Sequence, residues 1–338
     1  MNQDNYIRIP TQKMSGIFNQ ILLNNGFSAT KAEKCAEIFM ENSLEGIQSH
    51  GVNRFERFIR YIKKGHIRPD AEPSLISQNG NLEQWDGNLG PGPLNALNCV
   101  NRSMHIASLS GIGCVALSNT NHWMRAGTYG RVAAESGFAM IAWTNTTANM
   151  PAWGAADCRL GNNPLLIAIP NSEKPIILDM AMSQYSYGVL ESMTNDGSEL
   201  NMPGGYNSKG ELSSIPAEIL DSGRALPIGY WKGSGLALLL DILATLLSAG
   251  SSTQEISRRS EEYGVSQVFI TIDLKKLPQK NKISLIIKQI LDDYLDSQPL
   301  TTAGEIRFPG QRMTEIRIEN MKNGIPVNKN IWKKILDL

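Results

Sequence analysis

Apolar residues recur every three to four positions from Thr11 to about Ser43. Met14, Ile17, Phe18, Ile21 and Leu22 share one face, and the spacing predicts two helices. Ser28 stands where a cap would open the second of them, which is expected to run through Met40. From Asn53 to Lys64 the same period continues through Phe55, Phe58, Ile59 and Ile62, until Gly65 stops it. Pro69 to Pro93 is richer in Pro, Gly and Asn and opens a second region. Beyond it the pattern is mixed: a helix over Leu94–Ser110, a strand over Gly113–Leu117, a helix over Thr128–Ser136 and a strand over Phe138–Trp143. Short apolar runs at Leu165–Ile169 and Ile176–Leu178 suit buried strands. Gln184 to Pro227 is polar and Gly-rich and reads as one long loop, of the kind that is functional or flexible. A helix after Gly235, a strand at Val268–Ile272, a helix at Ile283–Leu295, a short extended piece at Thr314–Ile318 and a helix at Asn328–Leu338 complete the expectation.

Composition narrows the function classes. With 338 residues, 41% hydrophobic, 19% charged and a formal net charge of zero, the chain has ordinary globular composition. It lacks the basic excess that nucleic acids and anionic membranes attract. The polar start, MNQDNYIRIPTQK, has no apolar core of a signal peptide, which points to a cytoplasmic protein. The most apolar stretch, Leu236 to Ala249, carries Asp241 and is expected to be a buried helix. Cys35, Cys99, Cys114 and Cys158 lie far apart, with neither zinc-ligand nor disulfide-framework spacing. No metal site is expected.

Two of the four histidines stand in chemically suggestive company. Ser49-His50-Gly51-Val52-Asn53-Arg54-Phe55 puts His50 and Arg54 four residues apart at a helix start, hence on one face. An imidazole can protonate a developing alkoxide, and a guanidinium one turn away can clamp a carboxylate with two hydrogen bonds. The pair suits an acid whose reacting carbonyl lies beside its carboxylate; a surface histidine with a solvated arginine is the alternative. Asn121-His122-Trp123-Met124-Arg125 follows a predicted strand, where ligands of α/β folds often bind, although a capped turn around one buried Trp fits as well. His66 and His105 have no such neighbours. Gly229-Tyr-Trp-Lys-Gly-Ser-Gly235 precedes the apolar helix, so backbone N–H groups and Lys232 can meet a phosphate there, although a plain Gly-rich helix entry fits as well. Its spacing is not that of a P-loop, Gly87 to Gly92 does not read GxGxxG, and no Ser or Cys nucleophile motif is present.

The combination is more specific than its parts. SHGVNRF, SNTNHWMRAGTYG, WTNTTANMPAWGA, GNNPL, ILDMAMS, PIGYWKGSGLALLLDILATLLS, EYGVSQVFI and IRFPGQR occur in this order. Over almost the whole chain, from Thr11 to Leu338, they resemble the malate/L-lactate dehydrogenase family that lacks a Rossmann fold. The HWMR and GYWKGSG variants point to the branch that reduces 2,3-diketo-L-gulonate. The resemblance implies an α/β fold of non-Rossmann type, a mixed sheet domain plus a mainly helical domain. Residues 1–75 would form the helical region with the catalytic histidine, joined by the C-terminal part 280–338. Residues 76–280 would form the cofactor- and substrate-binding domain. It also implies NADH or NADPH as cofactor, a small keto acid as substrate and a homodimer. His50 would be the proton donor, Arg54 would hold the substrate carboxylate, and His122 would line the same pocket. The cofactor would contact Pro175, Ile176, Ile177, Leu178, Asp179, Met180 and Ala181, then Trp231 and Lys232, and finally Gly310, Gln311 and Arg312. Asn121, Thr144 and Asn145 are expected from their positions to meet substrate hydroxyls. The reductases of this branch carry Gly-His-Glu where this chain has Gly310-Gln311-Arg312, which leaves the choice between NADH and NADPH open. Relatives acting on malate, L-lactate, ureidoglycolate or a cyclic imino acid share these features, and a non-catalytic binding protein is a further alternative.

Overall fold

The computed structural model describes residues 5–172, 174–300 and 305–338. The chain opens with strand β1 (Tyr6–Ile9) and helices α1 (Thr11–Asn24), α2 (Ala29–Leu44) and α3 (Val52–Lys63), with a 3-10 turn at Gln48–His50 between the last two. Their apolar stripes meet: Phe18 stacks on Phe55 with ring centroids 4.1 Å apart, and Phe39 packs edge-on against Phe55 and Phe58. The helical periods read from the sequence therefore do form one core.

A sheet follows. Strands β2 (Ser74–Asn79) and β3 (Leu82–Asp86) precede helix α4 (Gly92–Ser110), β4 (Ile112–Thr120), helix α5 (Ala126–Glu135) and β5 (Phe138–Thr144). After a small hairpin of β6 (Met150–Pro151) and β7 (Cys158–Leu160) come β8 (Leu165–Ile169) and β9 (Ile176–Met180). The stretch Gln184–Pro227, expected as loop, holds helix α6 (Tyr187–Asp196), the hairpin β10 (Gly205–Tyr206) and β11 (Leu212–Ser213), and helix α7 (Pro216–Ser222). Its own small core of Leu190, Leu200 and Ile219 explains why it is ordered despite weak periodicity. Helices α8 (Trp231–Ser248) and α9 (Thr253–Ser257), strand β12 (Val265–Asp273) and helix α10 (Ile283–Leu295) follow. Helix α11 (Gln311–Asn323), strand β13 (Ile325–Asn328) and helix α12 (Lys329–Leu336) end the chain.

Seven strands form one sheet in the order β2-β3-β4-β12-β5-β8-β9, with β3–β4 parallel and all other pairs antiparallel. Alternation sorts its side chains. Val115, Leu117 and Phe269 face α4 and α5, whereas Ala116 and Val268 face α8. β1 and β13, which the sequence reading did not foresee, pair with each other and tie the C-terminus to the first helices. Thr314–Ile318, expected to be extended, lies inside α11. The alternating β-branched residues favour a strand locally, but Arg317 pairs with Glu41 and Asn320 Nδ2 donates to the Leu44 carbonyl (2.9 Å), holding the helix on α2.

The apolar helix α8 is only half what was expected. Ala237, Leu240 and Ala244 lie on the sheet, while Leu238, Leu239, Leu243 and Leu246 are exposed. It is long and apolar enough to cross a membrane, but that packed face makes it part of the α/β layer.

Candidate active site

The turn that carries His50 is pinned from several sides. Ser43 Oγ accepts the Val52 N–H at 2.9 Å, and Asn42 Nδ2 donates to the His50 carbonyl at 2.9 Å. Gly51 lets α2 and α3 approach this closely, because a Cβ there would lie 2.2 Å from Ser43 Oγ. His50 Nδ1 lies 2.9 Å from Ser49 Oγ. One turn on, Arg54 is half-buried, and its guanidinium has neither a hydrogen bond nor an ion pair among the described residues. It lines a small cavity with Arg57 and Tyr61, which follow at helical spacing on the same face of α3, and with Asn121 and His122.

The structure brings His122 to His50 across the two parts of the chain: the rings stack with centroids 5.7 Å apart at 27°. His122 Nδ1 accepts the Met124 N–H at 2.9 Å, so the ring proton sits on Nε2. Burial lowers the His122 pKa well below the usual range, helped by Arg54, His50 and Arg57. His50 is lowered to about 4, chiefly by burial and then by the charges of Arg54 and Arg125. Both imidazoles are therefore neutral at pH 7 in the free protein. Asn121 is 2% exposed; its Nδ2 contacts the His66, Leu89 and Gly90 carbonyls, and its Oδ1 has no partner. Such an orphan acceptor at a cavity wall suits a ligand hydroxyl.

Thr144 and Asn145 do not line this cavity. Thr144 Oγ1 donates within the protein to the Asn145 and Ser266 carbonyls. Asn145 Nδ2 donates to Asp241 and to the Ser251 carbonyl, and its Oδ1 accepts the Ser266 N–H. Their polar groups hold β5 to β12 and α8, and the structure does not bring them to Arg54, Asn121 and His122.

The three expected cofactor stretches adjoin one another. The Ile177 N–H donates to the Pro309 carbonyl at 3.1 Å, which seats the Gly310-Gln311-Arg312 loop on β9. Gly310 has φ +95°, and a Cβ there would lie 3.2 Å from the Ile177 nitrogen. Beyond β9, Met182 and Gln184 pair with Ile228 and Leu226, and the chain from Ile228 runs into α8 at Trp231-Lys232. The amino ends of α8 and α11 thus flank β9. Lys232 and Arg312 are exposed, with no acidic partner among the described residues. Helix amino ends and free cations fit an anionic dinucleotide. Asp179 differs from its neighbours: its carboxylate accepts the Gly127 N–H at 2.7 Å and faces Arg125, although burial raises its pKa.

Fold and site together define a dehydrogenase of non-Rossmann type. The chain belongs to the malate/L-lactate dehydrogenase family, whose sequence profile matches residues 9–336. Dehydrogenases of this family use a nicotinamide cofactor. Among particular relatives, the 2,3-diketo-L-gulonate reductase of Citrobacter koseri is 45% identical over 331 residues, covering 97% of this chain and 99% of the relative. The reductase of Klebsiella pneumoniae is 44% identical with the same coverage. Of solved structures, malate dehydrogenase from Pyrococcus horikoshii superposes with a TM-score of 0.90 at 27% identity, over 99% of this chain and 95% of that one. Sulfolactate dehydrogenase from Methanocaldococcus jannaschii gives 0.89 at 25%, over 98% and 96%.

Arg57, Tyr61 and the Arg125 ion pairs were not identified from sequence. The first two follow Arg54 at i+3 and i+7, a signal that helical spacing alone carries.

Proposed function

We propose that the chain reduces 2,3-diketo-L-gulonate, an open-chain α-keto sugar acid, at C2 to give 3-dehydro-L-gulonate. The observation that carries this reading is the unpaired Arg54 guanidinium four residues from the half-buried His50 imidazole, in a chain 45% identical to a reductase of that acid. The nicotinamide supplies the hydride. Arg54 anchors the C1 carboxylate with its planar fork, which orients the adjacent carbonyl. His50 delivers the proton to the carbonyl oxygen as charge develops there. His122 Nε2–H and the free Asn121 Oδ1 offer a donor and an acceptor to oxygens of the substrate. Pro175 to Ala181, Trp231-Lys232 and Gly310 to Arg312 hold the cofactor. The exposed, unpaired Arg312, in place of the acidic residue of the related reductases, favours acceptance of NADPH beside NADH.

The reading includes a division of the chain into residues 1–75 with 280–338 and residues 76–280. It also includes a homodimer, supported by the exposed apolar faces of α8 and of α10 at Leu285, Ile286 and Ile290. The four free cysteines fit a reducing compartment, the cytoplasm. The test is oxidation of NADH or NADPH across a panel of α-keto acids that includes freshly prepared diketogulonate. His50→Asn is expected to lose on the order of 100- to 10,000-fold in kcat. Arg54→Lys is expected to lose mainly kcat/KM for the keto acid, with little change in cofactor affinity. Near wild-type kcat in His50→Asn refutes the assignment of the proton donor. Best turnover of oxaloacetate or pyruvate would instead place the chain with the malate or lactate enzymes.

A further inference from the structure

Arg125 stands at the amino end of α5 with only 4% of its side chain exposed. Its guanidinium reaches three separate segments. Nη1 donates to Glu45, the residue that closes α2 five positions before His50. Nε lies 3.8 Å from Asp179 in β9. Nη2 donates to Met313 Sδ at 2.8 Å, in the first turn of α11 and three residues past Gly310. Gly127 leaves room for this fork, since a Cβ there would lie 2.7 Å from Nη2. The Gly127 N–H shares the Asp179 carboxylate at 2.7 Å, so α5, β9 and the guanidinium meet at one point. Glu45 is held from its other side by Arg131 at 3.4 Å and Arg317 at 3.5 Å.

The fork is turned into these partners, and Arg125 is not among the residues that line the cavity of Arg54, Asn121 and His122, so it is not an alternative to Arg54. Each arm instead ends on a segment that carries part of the site: the turn of His50, the cofactor strand β9 and the cofactor loop before α11. Only a planar group with several fixed donors can serve three directions at once; a lysine is a single point charge. We infer that Arg125 is a positioning residue, which sets how the turn of the proton donor lies against the strand and helix that carry the cofactor. It governs hydride transfer and leaves keto-acid affinity to Arg54. The inference rests on the roles proposed above for His50 and the cofactor stretches. A displacement of ~1 Å at a reacting centre can cost ~100-fold in rate.

The experiment compares the full-length wild type with Arg125→Lys and Arg125→Gln. In Arg125→Lys, kcat is expected to fall roughly 10- to 100-fold. KM for the keto acid, and Kd for NADH from fluorescence, are expected to change little. The primary isotope effect with C4-deuterated NADH is expected to rise as hydride transfer becomes limiting. A readout independent of turnover is the titration of the His50 ring by NMR in the ligand-free protein, assigned with His50→Asn. Arg54, Arg125 and His122 face that ring, so Arg125→Gln should raise its midpoint and Arg125→Lys should leave it in place. Wild-type kcat and isotope effect in Arg125→Lys, a loss confined to KM, or an unmoved His50 titration in Arg125→Gln overturns the positioning role. Should both variants fail to fold by circular dichroism, Glu45→Gln must show the same split of kcat from KM, or the role is refuted. A wild type that turns over no α-keto acid refutes the functional reading itself; turnover with unaffected variants refutes only the role of Arg125.

Discussion

The proposed role of His50, taken with its low pKa, predicts that the substrate arms its own proton donor. At about 4, set by burial and by Arg54 and Arg125, the imidazole of the free protein is neutral at pH 7. Only ~0.1% of molecules then carry the proton, against about a quarter for an ordinary histidine. A carboxylate settling on Arg54 cancels the cation with the larger effect on the ring and adds a negative charge beside it. Full recovery to the ordinary value would be worth about 3 kcal/mol, with lasting burial holding the gain below that. Binding is therefore expected to take up a proton. Because kcat/KM reports the free protein and kcat the complex, the two should separate in their pH profiles. Under NADH saturation, kcat/KM for the keto acid should fall roughly tenfold per unit from about pH 5 to 8, whereas kcat stays level to a higher pH. Removing the cation with Arg54→Gln should move the bend in kcat/KM upward even as the overall rate falls. A kcat/KM that is flat from pH 5 to 7, or an identical decline in His50→Asn, would refute this account of the proton.

The same shift has a consequence for stability. A folded pKa of about 4 lies below the unfolded value near 6.5, so the unfolded chain binds the extra proton. Stability from this group is present above the unfolded value and is lost as pH falls toward the folded one. Between pH 7 and 5 that loss is ~2 kcal/mol. Urea unfolding at both pH values should show a smaller loss in His50→Asn than in wild type, and equal losses would contradict the shift. For cofactor choice, kcat/KM ratios of NADPH to NADH are expected to drop in Arg312→Glu relative to wild type; a wild type that strongly prefers NADH, with a ratio unmoved by the substitution, would show that Arg312 does not read the ribose. For assembly, light scattering is expected to give twice the chain mass, and Leu239→Lys with Leu246→Lys on the outer face of α8 should lower it; a monomeric wild type would leave that face unexplained.

Local pattern was enough for much of this protein. The stripes of α1 to α3 and the short runs that became β4, β5 and β8 were legible because each buries one face, and period alone says which residues that face contains. His50 and Arg54 were singled out because they lie four residues apart, although His50 ends the 3-10 turn before α3 and only Arg54 is in the helix. What failed were features whose cause lies far away in the chain. β1 and β13 are four residues each and exist because they pair across more than 300 positions. Thr314 to Ile318 looks like a strand by itself and is helical because Glu41 and Leu44 hold that side of α11. Asn145 was picked for substrate from its position, and the structure instead bonds it to Asp241, Ser251 and Ser266, away from the cavity of Arg54. Likewise, no spacing rule brings His122 onto His50, or Glu45, Asp179 and Met313 onto Arg125. Those contacts join segments far apart in the chain, and packing depends on which surfaces fit together after the local elements have formed.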